Sequence, residues 1–326
     1  MEDVMLIIDY NRKIKKLINK ADEVYIMGHK HIDLDALGAC LGMYEYVVRQ
    51  KKDGHIIIDD ETLELSSRKV IDKAKFKINI INSKQMNDLV SKKSLLILVD
   101  MNKQFLAQNP EVIDYFQNII VIDHHDRGVS TLDRGVVIID TQAASTTEMV
   151  SDFLIHNKIP LNEDLATYLL AGIVLDTNNF VVKTDENTFK VSYLLTKNGA
   201  SPKKVQYLLK QDLNEYIERQ KVITDVKVFG KVALTKGLQK VIYKREDLAK
   251  IADTLLFFNK IEASFVIGRI SDDEIGVSAR SMGNINVGKI MEKFGGGGDA
   301  HEAATRIKVD QLKELEEGLE EIIGLL

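Results

Sequence analysis

A chain of 326 residues, 45% of them hydrophobic, is long enough for two domains with separate cores and too apolar for disorder. Its net charge of −5 argues against a general binder of large nucleic acids or anionic membranes, and one cysteine, Cys40, excludes an internal disulfide framework. Cys40 fits a reducing cytoplasm as a small buried apolar group; with no apolar run of about 18 residues and no signal-peptide start, a soluble cytoplasmic domain is expected.

Through the first two hundred residues, apolar runs of strand length alternate with helical periodicity. That is the pattern of an α/β domain doubly wound around a mainly parallel sheet. Strands are predicted at 24–27, 55–58, 78–81, 95–99, 119–122 and 136–139. Helices are predicted at 34–48, with Asp35 as N-cap, at 145–156, opening on the capping-box-like Ser145-Thr146-Thr147-Glu148, and at 162–174, 186–197 and 202–210. A polar helical stretch at 213–224 marks a boundary near residues 210 to 227. Beyond it a smaller α/β domain is predicted, with strands at 226–233, 240–243, 263–269 and 274–279 and helices at 245–256, 287–293 and 311–323.

The chemistry concentrates at the ends of the apolar runs. Asp123-His124-His125 closes Ile119-Ile120-Val121-Ile122, and open α/β sheets place ligands beyond the carboxyl ends of their strands. Alone, the triplet could be a helix cap followed by two surface histidines. It has company. His29, Asp33 and Asp35 leave the end of the first strand, Asp100 ends the strand at 95–99, and Asp176 follows the apolar segment 171–175. Five carboxylates crowded into one cleft would raise one another's pKa values unless cations sat among them, and Lys30 and Arg127 cannot balance that many. Divalent metals can. Carboxylates mixed with imidazoles, without cysteine, suit manganese, with cobalt, iron or magnesium less favoured. His31, His55 and His156 read as ordinary surface or loop histidines, and Asp59, Asp60 and Glu61 as a solvated charge run.

These residues, in this order, resemble the metal motifs of the DHH phosphoesterase family. In the second half, Ser278-Ala279-Arg280-Ser281 and Gly295 to Gly298 followed by Ala303-Ala304-Thr305 resemble the substrate motifs of its associated C-terminal domain. The resemblance covers nearly the whole chain. It implies a catalytic domain at 1–210, a connecting helix at 211–226 and a substrate-binding domain at 227–326. Within the family, Ile26-Met27-Gly28-His29-Lys30, Ala144 to Glu148, Gly172 to Thr177 and Ser281 to Val287 are most similar to the catalytic part of cyclic-di-AMP phosphodiesterases of the GdpP type. Such proteins carry membrane and sensory segments before that part, so the chain is either an excised portion of a membrane-anchored parent or a shorter homologue, with residues 1 to 20 as the connecting helix.

The resemblance further implies two manganese ions. His29 and Asp33 would hold one, and Asp35, His124 and Asp176 the other, with Asp100 bridging. Asp123 would orient His124, and His125 would meet the scissile phosphate or assist the leaving oxygen. Arg280, Ser281, Gly295, Gly296, Gly297, Gly298 and His301 would contact the nucleotide. The implied reaction is hydrolysis of cyclic-di-AMP to 5′-pApA, the substrate being a cyclic dinucleotide or short oligonucleotide. The family's glycine motif ends in histidine where this chain has Asp299, with His301 two positions on, and Ile32 stands where proline is common. That departure keeps two alternatives open: a nanoRNase or 3′-phosphoadenosine-5′-phosphate (pAp) phosphatase with the same metal centre, and a nucleotide-binding sensor without turnover.

Overall fold

The computed structural model describes residues 7–59, 63–74, 78–238 and 240–324. Asp60 and Glu61 of the charge run, and the first six residues, lie outside them. The chain divides into two compact units, residues 1–210 and 211–326.

In the first unit the elements run α1 (Asn11–Lys20), β1 (Glu23–Met27), α2 (Leu34–Arg49), β2 (Asp53–Ile57), α3 (Leu65–Lys73), β3 (Ile80–Ile81), α4 (Ser83–Leu89), β4 (Leu95–Val99), β5 (Asn118–Asp123), β6 (Val136–Ile139), α5 (Thr146–His156), α6 (Glu163–Asp176), α7 (Glu186–Lys197) and α8 (Pro202–Leu208). All six strands pair in parallel in the order β3-β2-β1-β4-β5-β6. Both faces are covered, which is why the strands read as continuous β-branched runs. Val24, Ile26, Ile97 and Ile122 join the core beneath α2, α5 and α6; their alternates Tyr25, Leu96, Leu98 and Val121 join a second core on the opposite face. Cys40 is fully buried in the first core, and burial pushes its thiol pKa up.

Two glycines let the helices approach. A Cβ on Gly38 of α2 would sit 2.8 Å from Thr147 Oγ1, and one on Gly172 of α6 would sit 2.7 Å from the same atom. Helices α2 and α6 therefore close on the first turn of α5.

The strand predictions hold to within a residue or two, except that 78–81 shrinks to Ile80–Ile81. Helices α3 and α4 were not predicted: LSSRKVIDK and SKQMNDL bury only two residues and one residue respectively, too little for a periodic apolar signal. His55 is not a loose surface histidine. It lies in β2, stacked on Tyr25 with centroids 5.1 Å apart, its Nδ1 2.9 Å from Asn79 Nδ2. Nor is Asp59 simply solvated, because its carboxylate accepts from Ser83 N at 2.9 Å.

The second unit contains α9 (Leu213–Ile223), β7 (Lys227–Phe229), β8 (Val232–Lys236), α10 (Arg245–Leu255), β9 (Ala263–Arg269), β10 (Glu274–Ser281), α11 (Val287–Glu292), β11 (Gly297–Gly298), β12 (Glu302–Lys308) and α12 (Leu312–Gly324). The sheet order is β11-β12-β10-β9-β8-β7, with β8 and β9 parallel and the other pairs antiparallel. The predicted strand 226–233 is a hairpin, turning at Gly230 with φ +57°. The predicted strand 240–243 does not form. There Tyr243 buries its ring, donates its backbone N–H to Arg269 O, and accepts from Leu238 N at its hydroxyl. Strand β12 escaped prediction because Glu302, Arg306 and Lys308 hide its exposed–buried alternation. Helix α9 is no free connector, since Arg219 pairs with Asp247 at 3.0 Å and Thr235 Oγ1 donates to Val222 O.

Candidate metal centre

The winding of the first sheet reverses between β1 and β4, and such a switch point opens a crevice beyond the strand carboxyl ends. The loops leaving β1, β4 and β5 meet there. His29 and Asp33 lie on the β1 loop, Asp35 in the first turn of α2, Asp100 just past β4, Asp123 at the end of β5 with His124 and His125 behind it, and Asp176 at the end of α6. Three trios have ligand atoms within 4.8 Å of one another: His29, Asp33 and Asp100; Asp35, His124 and Asp176; and Asp100, His124 and His125.

Asp100 is common to two trios. It is buried, holds a left-handed backbone at φ +59°, and hydrogen-bonds through its N–H to Ile122 O on β5. A non-glycine residue keeps that conformation only where its surroundings over-determine it, often at functional sites. His29 Nε2 lies 3.3 Å from Asp100 Oδ2 and 3.9 Å from Asp33 Oδ1, while His29 Nδ1 faces the Lys30 carbonyl. A carbonyl only accepts, so Nδ1 carries the proton and Nε2 is left to the carboxylates.

The N-cap of α2 is Asp33, not Asp35: its Oδ1 accepts from Asp35 N and Ala36 N, both at 2.9 Å. Asp35 has another anchorage. Its two oxygens accept from Thr146 N at 2.9 Å and Thr147 N at 2.8 Å, the first turn of α5. A helix N-terminus offers unpaired N–H groups and positive potential, so it fixes this carboxylate while leaving it ionisable. Thr146 Oγ1 donates to Asp100 Oδ1 at 3.0 Å and Thr147 Oγ1 to Asp35 O at 2.7 Å. Sequence reading missed both threonines. Their signal was Ser145-Thr146-Thr147-Glu148, read as a capping box and as part of a family-like segment but not as support for the carboxylates; one half of the box forms, Ser145 accepting from Glu148 N while the Glu148 side chain takes Asn187.

Asp123 departs from its expected partner. Its Oδ1 accepts the His125 ring at Nδ1, 2.8 Å away, and from His124 only the backbone N–H, at 2.9 Å. The ring that Asp123 orients is His125, half-exposed at 54%. His124 is buried, and neither ring nitrogen has a hydrogen bond, although Nε2 lies 3.2 Å from Asp176 Oδ2 and 3.5 Å from Asp100 Oδ1. A buried imidazole left without hydrogen bonds among carboxylates is what a cation's ligand requires, so the donor set fits a divalent ion.

The electrostatics agree. Burial, then Asp176 and Asp100, push the Asp35 carboxyl well above its ordinary value, and burial raises Asp33. Asp100 is held far down: burial opposes its charge, but the three surrounding histidines outweigh it. Burial likewise opposes charge on His29 and His125, yet Asp100 with Asp33 carries His29 up to about 11, and Asp123 with Asp100 carries His125 up to about 10. The cluster draws in positive charge wherever it can.

In the second unit, Arg280 on β10 is 15% exposed; its Nε donates to Asp253 Oδ1 at 2.9 Å, its Nη1 to Ala279 O at 3.1 Å, and its Nη2 lies 3.4 Å from Glu302 Oε2. Ser281 is buried and accepts from Gly283 N at its hydroxyl. The glycine run is not a free loop. Gly297 and Gly298 form edge strand β11 against Ala304 and Ala303, a Cβ on Gly296 would meet Ala304 O at 2.3 Å, and Gly295 has φ +72°. Asp299 closes the following turn, its Oδ1 accepting from His301 N at 2.7 Å and Glu302 N at 2.8 Å; the His301 ring lies 3.3 Å from Ser281 O.

Comparison with known proteins matches this chain to the DHH family N-terminal domain over residues 23–173 and the DHHA1 domain over residues 225–325. It is 34% identical to the cyclic-di-AMP phosphodiesterase GdpP of Geobacillus thermodenitrificans over 95% of this chain and 48% of that protein. The chain spans about half the length of the curated relatives it matches. Among solved structures, an exopolyphosphatase-related protein from Bacteroides fragilis superposes with a TM-score of 0.79 at 18% identity, covering 97% of each chain. RecJ of Thermus thermophilus, in complex with Mn2+, superposes with a TM-score of 0.60 at 12% identity over 100% of this chain and 56% of that one. No helix among the described residues is long and apolar enough to cross a membrane. With both domain models matched in order, and all of the switch-point cluster except Asp176 inside the first of them, the chain belongs to the DHH phosphoesterase family, a DHH domain followed by a DHHA1 domain.

Proposed function

We propose that the chain is a metal-dependent phosphodiesterase that hydrolyses cyclic-di-AMP to 5′-pApA. The observation that carries this is the sharing of Asp100 between two ligand trios, one of them with His29 and Asp33. His29, Asp33 and Asp100 would hold one divalent cation, and Asp35, His124 and Asp176 a second, with Asp100 common to both. Manganese is the first choice by donor chemistry, and the RecJ neighbour is a complex with Mn2+. Four carboxylates then balance two dications. Bound there, the cations would supply a hydroxide at neutral pH and offset the phosphate's charge.

The chain's own residues do the rest. Asp123 fixes the His125 ring through Nδ1, so Nε2 is the nitrogen free to give a proton to the leaving oxygen or to hold a phosphate oxygen. Thr146 and Thr147 hold Asp100 and Asp35 against reorientation. In the second unit, Ser281, Gly295 to Gly298 and His301 would contact the nucleotide, and Arg280 would do so by exchanging Asp253 or Glu302 for a phosphate. The choice of cyclic-di-AMP rests on the named activity of the GdpP relative.

Asp299 supports a second reading, a nanoRNase or pAp phosphatase, because it stands where the family's histidine is expected. Against it, Asp299 spends its carboxylate on the turn before β12. The discriminating experiment strips metal, restores manganese, and offers cyclic-di-AMP, cyclic-di-GMP, pApA and pAp, with products separated chromatographically. Conversion of cyclic-di-AMP to pApA is the expected result. Preference for pAp would replace it with the second reading, and binding of all four without turnover would make the chain a sensor.

A further inference from the structure

Away from the carboxylates, α6, α7 and α8 enclose a cavity of about 390 Å³, within the usual size range of small-molecule sites. No described residue lining it carries a charge. One wall is aromatic: Phe180 and Phe189 stack with centroids 5.5 Å apart and planes at 20°, and Tyr193, one turn along α7, is 63% exposed. Ser192 also lines the cavity; it is 8% exposed, and its hydroxyl has no hydrogen-bond partner. Buried hydroxyls are nearly always paired, so this one lacks a group the protein does not supply. Nearby, Gln206 Nε2 donates to Asn179 Oδ1 at 3.2 Å, which keeps the Gln206 carbonyl and the Asn179 amide hydrogens for another molecule.

We propose that this cavity binds a neutral, flat heteroaromatic molecule, a nucleoside or free base, distinct from any ligand of the metal cluster. Uncharged walls disfavour phosphate or carboxylate, whose charge would be desolvated without a partner. Stacked rings favour a planar π-system, and Ser192, Asn179 and Gln206 together match a ring edge that both donates and accepts. The occupant would also brace a particular piece of backbone. Asn179 and Phe180 belong to the left-handed run 178–180, which starts two residues after Asp176.

Adenosine is the probe. Saturation-transfer NMR on the metal-free full chain is expected to give saturable binding, and hydrogen exchange should slow at amides 177–182. Ser192→Leu, which fills the cavity, should weaken binding about tenfold or more, while Arg280→Ala, in the other unit, should leave it unchanged. Gln206→Ala, on the cavity rim, is the second variant should Ser192→Leu fail to fold. No saturable binding, binding insensitive to both cavity variants, or binding lost only in Arg280→Ala would overturn the proposal. Neither metal nor turnover enters the readout, so its failure is separable from failure of the phosphodiesterase reading.

Discussion

The two clusters of charge, one in each unit, are built on opposite plans. Around Asp100, five carboxylates face three imidazoles, and burial pushes up the carboxyls of Asp33 and Asp35, with neighbouring carboxylates adding to it. Around Arg280 the charge is satisfied from within: Asp253, the Ala279 carbonyl and Glu302 take the guanidinium. An added cation would relieve the carboxylates of the first cluster; in the second, the guanidinium already has its partners. The effect of removing a charge should therefore depend on an added cation in the first place and not in the second.

The largest effect is expected at Asp100. Replacing it with alanine removes the carboxylate common to two trios, and hydrolysis of cyclic-di-AMP should fall on the order of a thousandfold or more. An unaffected rate would refute its assignment as the shared ligand. His125→Ala comes next, with a loss of about a hundredfold as expected for a proton-transfer group. Calorimetry should still find two manganese sites in that variant, and loss of one would make His125 a ligand rather than a proton donor. Thr146→Val removes the hydroxyl that holds Asp100 and should weaken manganese binding by roughly ten- to a hundredfold. Unchanged affinity would show that the α5 N–H groups suffice.

The sequence made the first cluster readable because several of its residues follow uninterrupted apolar runs, as Asp100 does after Leu95–Val99 and Asp123 does after Ile119 to Ile122. What it could not display is how those side chains are held. That Asp33 caps α2 while Asp35 reaches α5 depends on a contact between segments 111 residues apart, closed by the small residues Gly38 and Gly172. Asp123's choice of His125 over His124 is a matter of ring placement that the tripeptide leaves open. In the second unit, strand β12 was hidden by its charges, and with it the turn in which Asp299 is engaged. The pairing of the glycine run with Ala303 and Ala304 was hidden for the same reason, since it exists only once β12 is there.

Asp33→Asn sharpens the contrast between the clusters. The amide oxygen can still accept from Asp35 N and Ala36 N, so the α2 cap survives while the charge goes. The Asp33 carboxyl is raised in the folded protein, so its ionisation costs stability once pH rises above the unfolded value near 4. Metal-free Asp33→Asn should thus be more stable than the parent at pH 7, by roughly 1 kcal/mol, and equal to it below about pH 4. With manganese present the order should reverse. Thermal unfolding across pH, with and without metal, reads both signs.

Asp253→Asn is the counterpart, and its effect should be the smallest and indifferent to manganese. Arg280 is only 15% exposed and keeps its charge, so weakening the Asp253 contact leaves a buried guanidinium with the Ala279 carbonyl and the 3.4 Å approach of Glu302. Asp253 itself is 38% exposed, and water screens part of the interaction. Burial pushes the Asp253 carboxyl up to about 6 even beside Arg280, so relief of its charge offsets the weaker pairing of Arg280, and a stability change below about 1 kcal/mol is expected, the same with and without manganese. If Asp253→Asn instead changed stability in a manganese-dependent way as Asp33→Asn does, the charge around Arg280 would also be answering to the cation. The two clusters would then share one plan.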